Sequence, residues 1–164
     1  MSKPTARDVM TTDVLTVQDD LTVGELTSFL LDQDISGAPV ADSNGNLVGV
    51  VSLTDLARCA SEESGSLRQE SSPDYFVRGW EDKLEPTELK KFYVEAKEEC
   101  SVAHIMTRSL FSVAPDTPAA EIAGIMARSH IHRVLVTEGK KAVGIVTSLD
   151  LLRLIADEAL CDDG

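Results

Sequence analysis

The string Gly49-Val50-Val51-Ser52-Leu53-Thr54-Asp55 returns late in the chain as Gly144-Ile145-Val146-Thr147-Ser148-Leu149-Asp150. A chain that writes one segment twice is expected to fold it twice, so this repeat constrains the architecture more than composition does. In both copies a short apolar run, Val48 to Val51 and Ala142 to Val146, passes without loop residues into a helical pattern containing Leu56 or Leu151. A hydroxyl stands at the junction and a carboxylate three residues on. The local explanation is a capping box, in which Ser52 with Asp55, and Thr147 with Asp150, satisfy N–H groups of the first helical turn. The alternative is a ligand site. A strand delivered straight into a helix leaves N–H groups and the positive dipole end for an anion, while the carboxylate can accept from vicinal ribose hydroxyls.

The repetition extends beyond the motif. Val9-Met10-Thr11 matches Ile105-Met106-Thr107, Thr16-Val17 matches Ser112-Val113, and Asp20, Ile35 and Val40 match Asp116, Ile131 and Val136, all 96 residues apart. A turn one residue shorter then brings Asp55 onto Asp150 at a spacing of 95. In the first copy, Thr5 to Asp8 predicts a capped lead-in helix, Val14 to Val17 a strand, and Thr22 to Glu25 a capping box opening a helix with Val23, Leu26 and Leu30 on one face. Ile35 to Ala41 and Leu47 to Val51 read as strands around the turn Asp42 to Asn46, and Leu53 to Ala60 as the closing helix. In the second copy Thr117 is the expected N-cap, with Pro118 in the first turn and Ile122, Ile125 and Met126 facing inward. Its closing helix carries Leu151, Leu152, Leu154 and Ile155, which either complete the core or form a subunit contact.

The ordered set Met-Thr, strand, Asp-containing turn, helix, Ile-x-x-x-Pro-Val, turn and Gly-h-h-[Ser/Thr]-x-x-Asp, with h apolar, resembles the CBS domain, named for cystathionine β-synthase. Two in tandem resemble a Bateman module, over residues 5–60 and 101–157. The resemblance implies an α+β fold: a tandem pair of β-α-β-β-α units related by pseudo-twofold symmetry. A first CBS domain would occupy residues 1–60 and a second 101–164, with a long, partly helical insert over 61–100. It also implies an adenosine-containing regulatory ligand (AMP, ADP, ATP, NAD or S-adenosylmethionine) in clefts between the repeats. Asp55 and Asp150 would then hold ribose hydroxyls, and Ser52, Thr54, Thr147 and Ser148 would approach phosphate. Groups around Thr11, Ile35, Pro39, Thr107 and Ile131 would enclose the base. His132-Arg133, standing where the first copy has Ser36-Gly37, would lie near the phosphates. A homodimer is implied as well. The competing reading is a ligand-free dimerisation or scaffold module that acts through a protein partner.

With 164 residues, 43% of them hydrophobic, the chain can bury one core or two small ones. A net charge of −13 argues against nucleic acid and anionic membranes as partners, since no basic stripe is present to neutralise phosphates. No run approaches the ~20 apolar residues of a membrane span and no secretory pattern is visible, so a cytoplasmic location is expected. Cys59, Cys100 and Cys161 are odd in number and far apart in sequence, and they read as ordinary thiols. His130-x-His132 lacks a third ligand, so no metal site is expected. Nothing resembles a nucleophile elbow, a Gly-rich phosphate loop or an acid/base carboxylate pair, so neither catalysis nor a catalytic cofactor is expected.

The insert opens with a Ser/Glu-rich stretch, residues 61–74, expected to be mobile. It then gathers Tyr75, Phe76, Trp80, Phe92 and Tyr93, five of the seven aromatic residues, and Glu85 to Cys100 reads as a helix. Aromatic groups in that number are seldom left wet. The insert is therefore expected to fold back over the module's own surface, the alternative being a face for an unidentified protein partner.

Overall fold

A computed structural model of the chain describes residues 3–61, 74–77 and 100–161. In order these form α1 (Ala6–Val9), β1 (Val17–Gln18), α2 (Val23–Asp32), β2 (Gly37–Ala41), β3 (Leu47–Ser52), α3 (Leu53–Ser61) and α4 (Asp74–Val77). There follow α5 (Val102–Ile105), β4 (Ser112–Val113), α6 (Ala119–Ser129), β5 (Arg133–Glu138), β6 (Lys141–Thr147) and α7 (Ser148–Cys161). The fold is α+β, and each repeat supplies a β-α-β-β-α unit. The predicted Val14 to Val17 strand is shorter and shifted: β1 starts at Val17, because its parallel pairing reaches only Val40 and Ala41 of β2.

Both sheets have the same construction, a short first strand parallel to a central strand and an antiparallel third strand, in the orders β1-β2-β3 and β4-β5-β6. Val17 pairs with Val40 as Val113 pairs with Val136, and Gly37 pairs with Ser52 as Arg133 pairs with Thr147. A register shift falls after Val40 in one sheet and after Val136 in the other. The shortened spacing is visible in the hairpins. Ala41 pairs with Leu47 across a turn that Asp42 organises by accepting from the backbones of Asn44 and Asn46 at 2.8 and 2.9 Å. The equivalent pair Thr137 and Ala142 encloses one residue fewer.

The compact units do not follow chain order. One comprises residues 1–14 and 111–164, the other 15–110. Each lead-in segment therefore folds with the other repeat. In the unit built on the first repeat, Val102 and Met106 of the second lead-in are buried with Val17, Val23, Leu26, Leu30, Val40, Val51 and Leu56. Thr107 exchanges two 2.9 Å backbone bonds with Val50 of β3, and the first N–H of α2, on Val23, donates to Cys100 O at 3.0 Å. The other unit repeats these contacts. Thr11 exchanges two 2.9 Å bonds with Ile145 of β6, and the first N–H of α6, on Ala119, donates to Pro4 O at 2.8 Å. This last bond corrects the expected Thr117 cap. Pro118 is the N-cap, without a side-chain cap bond, and the lead-in backbone satisfies a donor that a capping side chain would otherwise serve. Two other expected caps are present. Thr22 and Glu25 bond reciprocally at 2.9 and 3.1 Å, and Thr5 donates to Asp8 through its N–H and its hydroxyl, holding that carboxyl below the usual carboxylate range.

Part of the insert can be placed. Tyr75 and Phe76 of α4 are buried, with ring centroids 5.1 Å apart in an edge-to-face pair, and α4 packs against β3. Trp80, Phe92, Tyr93 and the expected helix from Glu85 lie outside the described residues.

The lead-in methionines explain the glycine that opens each repeated motif. A Cβ at Gly144 would run into the side chain of Met10, reaching its Cγ at 2.9 Å and coming closer still to its sulfur. At Gly49 a Cβ would meet Met106 Sδ at 3.0 Å and the backbone oxygen of Thr107 at 2.7 Å. Gly49→Ala and Gly144→Ala should therefore each cost about 1–3 kcal/mol in urea unfolding, the range for overpacking. Adding Met10→Ala should recover part of the Gly144→Ala loss, because the obstacle is a side chain. Adding Met106→Ala to Gly49→Ala should not, because the Thr107 carbonyl stays.

Candidate functional site

Each strand-to-helix junction is built from backbone upward. The N–H of Leu53, first in α3, donates to Ser36 O at 3.0 Å, and that of Ser148, first in α7, to His132 O at 2.9 Å. These bonds tie each helix start to the residues just before the central strand. Asp55 Oδ2 accepts from the Ser52 N–H at 2.8 Å and the Ser52 hydroxyl at 3.2 Å. Asp150 Oδ2 accepts from the Thr147 N–H and hydroxyl, both at 2.8 Å, while the Asp150 N–H approaches the Thr147 hydroxyl at 3.3 Å. The carboxylate takes its part of the expected capping box in both copies, and the return bond from the backbone N–H is seen at Thr147. The box occupies one carboxylate oxygen. The other, Oδ1, faces an arginine one turn on, Arg58 at 3.7 Å and Arg153 at 3.8 Å. The carboxylate side chains are only 10% and 14% exposed, whereas both arginines are more than half exposed. Asp-x-x-Arg recurs 95 residues apart, a signal the sequence reading passed over.

The predicted residues separate into two groups. The unit of residues 15–110 brings Ser52, Thr54 and Asp55 near Ile35 and Pro39, and its Val50 bridges to Thr107. The other unit brings Thr147, Ser148 and Asp150 near Ile131, His132 and Arg133, with Thr11 bridged to Ile145. Thr11 and Thr107 thus belong with the opposite copy's motif. Ser52 and Pro39 are buried; Thr11 and His132 are exposed; Arg133 is half-buried. Leu135 donates its N–H to Phe111 O at 3.0 Å, a bond that the equivalent Pro39 cannot make.

The family model for the CBS domain matches residues 6–62 and again residues 102–157. The chain belongs to the CBS domain family. As a tandem CBS pair it resembles solved structures along nearly its whole length. One is the CBS domain pair of protein MJ0100 in complex with 5′-methylthioadenosine and S-adenosyl-L-methionine, at a TM-score of 0.63 and 21% identity, covering 96% of this chain and 99% of that one. Another is CBSX2 in complex with AMP, at a TM-score of 0.65 and 24% identity, covering 93% and 97%. A protein of Methanocaldococcus jannaschii described as uncharacterised is 30% identical over 149 residues, 91% of this chain. The chain spans 22–31% of the length of that and three other curated relatives.

The second CBS unit also carries an open apolar groove of about 440 Å³ between α6 and α7, with Met126, Ile131, Leu152 and Ile155 along it and His132 and Ser148 at the junction. The leucine-rich closing helix divides its roles: Leu151 is buried, whereas Leu152 and Ile155 are 61% and 62% exposed. The matching positions of α3 are Ala57 and Ala60. Among the described residues no group of three or more metal-ligating side chains converges, and no helix is long and apolar enough to cross a membrane.

Because Asp55 and Asp150 anchor their helices, Asp55→Ala and Asp150→Ala should each cost about 0.5–2 kcal/mol, the range for a lost cap. The loss at Asp55 should be the larger, since its partners are more deeply buried. Chemical denaturation of the two variants checks both the size and the order.

Proposed function

We propose that this CBS pair is a regulatory module that binds an adenosine-containing ligand at its strand-to-helix junctions: AMP, ADP, ATP, NAD or S-adenosylmethionine. The carrying observation is the repeated junction, in which a nearly buried carboxylate keeps Oδ1 beside an arginine while Oδ2 caps the helix. Vicinal ribose hydroxyls would bond to that outer oxygen, with Ser52, Thr54, Thr147 and Ser148 toward phosphate. The backbone around Thr11, Ile35, Pro39, Thr107 and Ile131 would enclose the base. His132-Arg133 adds a basic pair to the second junction where the first has Ser36-Gly37, and a guanidinium can make two charge-assisted bonds to phosphate. That structures of the same fold hold AMP or S-adenosylmethionine with methylthioadenosine supports this ligand class. The role is sensing rather than catalysis, in the cytoplasm: the ligand shifts an equilibrium by its differential affinity for two states.

A thermal-shift panel of these compounds is the first test, since a ligand at a hundred times its Kd adds about 2.7 kcal/mol to the folded state. Calorimetric titration then assigns residues. Asp150→Asn should weaken binding by about 1.5–3 kcal/mol, and Arg133→Ala should lower affinity for ATP more than for adenosine. No shift with any compound would leave the scaffold reading in possession.

That second reading is favoured by one observation, the exposed Leu152 and Ile155 beside an apolar groove. We assign this face to a second copy of the chain, so that dimerisation accompanies ligand binding, or in the scaffold reading replaces it and presents a protein partner with a paired surface. Light scattering should give twice 17.7 kDa for the native chain and 17.7 kDa for Leu152→Glu with Ile155→Glu. A native chain of single-copy mass at tens of micromolar would overturn the dimer.

A further inference from the structure

Cys59 and Cys100, read from sequence as ordinary thiols, lie with their sulfurs 3.8 Å apart in the unit of residues 15–110. Both are half-buried. Neither sits on a loose segment. Cys59 is in α3, one turn beyond Asp55, and Cys100 packs against the buried cluster of Val23, Leu26, Leu56 and Val102. The Cys100 carbonyl accepts from Val23 N–H at 3.0 Å, and two residues on Val102 donates to Leu21 O at 2.8 Å. The two sulfurs are thus held in van der Waals contact by a helix and an anchored strand-like segment, while their positions in sequence differ by 41.

We propose that Cys59 and Cys100 are a redox modification site that closes reversibly to a disulfide by exchange with small-molecule disulfides of the glutathione class. One thiol loses its proton to solvent and attacks the small disulfide, forming a mixed disulfide and releasing one thiolate. The second, deprotonated in turn, attacks the protein sulfur of that mixed disulfide and releases the other thiolate. Two protein thiols are oxidised and one small disulfide is reduced to two thiols. Proximity favours the second step over accumulation of the adduct, because the attacking sulfur is already in contact. The bond would join the end of the helix that carries Asp55 to the lead-in of the second repeat, closing residues 60–99 into a loop.

The test uses the full chain carrying Cys161→Ser, folded and incubated with glutathione disulfide. The expected product is a chain with no covalent link to another, lighter by two hydrogens, with no titratable thiol and a peptide map linking Cys59 to Cys100. Its thermal midpoint should rise by about 10 °C over the reduced chain, from closure of a loop of roughly forty residues. Cys59→Ser and Cys100→Ser in the same background should each stop at one glutathione adduct. Stable adducts on the parent chain, cross-linked pairs of chains, or two thiols persisting in excess oxidant would each overturn the proposal. A Cys59–Cys100 bond that lowers the midpoint would overturn it too, since the native packing would then not hold the sulfurs in place.

Discussion

The structure depends on two short backbone exchanges. Thr11 with Ile145, and Thr107 with Val50, each contribute a reciprocal pair of 2.9 Å bonds, and Pro4 and Cys100 accept the first N–H of α6 and of α2, the former a helix with no side-chain cap of its own. A helix N-terminus leaves four donors unsatisfied, and burying one unpaired costs about 1–3 kcal/mol. By supplying that acceptor from the other repeat's lead-in, the chain makes each compact unit incomplete without residues from far along the sequence. The glycines at 49 and 144 follow from the same exchange: they make room for Met106 and Met10, which arrive with the lead-in segments.

Capping and ligand recognition compete for the same side chains less than their chemistry first implies. A carboxylate has two oxygens, and the cap takes Oδ2 in both copies. The outer oxygen meets an arginine at 3.7–3.8 Å, a long and therefore weak contact between a nearly buried carboxylate and a mostly exposed guanidinium. An interaction that weak can yield to better-placed hydroxyls without unfolding the helix start. Stability and recognition can thus share one residue, with most of the stability residing in the half that faces the backbone.

The two copies differ where their surroundings differ. Pro39 and Leu135 stand at equivalent places in the central strands, yet only Leu135 can donate to the segment before the first strand. Ala57 and Ala60 are replaced in the second copy by Leu152 and Ile155, which puts two large exposed apolar side chains on its closing helix. The sheet architecture tolerates both changes, because the two copies keep the same strand order and the same pairing of first with central strand.

Much of this was legible in the residues themselves. The period of the repeat, the strand-to-helix junctions, the capping boxes at Thr5, Thr22, Ser52 and Thr147, and the shortened second hairpin all rest on interactions between residues a few positions apart, which local spacing records directly. The division of Leu151 from Leu152 and Ile155 was not legible, since one apolar helix reads the same whether a neighbour covers one face or two. Nor was the partnership of Cys59 with Cys100, or the placing of Thr11 beside Asp150's strand and Thr107 beside Asp55's. Those are contacts between segments remote in sequence, and nothing in the spacing of either segment encodes which of two similar strands it will join. Only the packed fold decides that, by matching each methionine to a glycine and each unsatisfied N–H to a carbonyl.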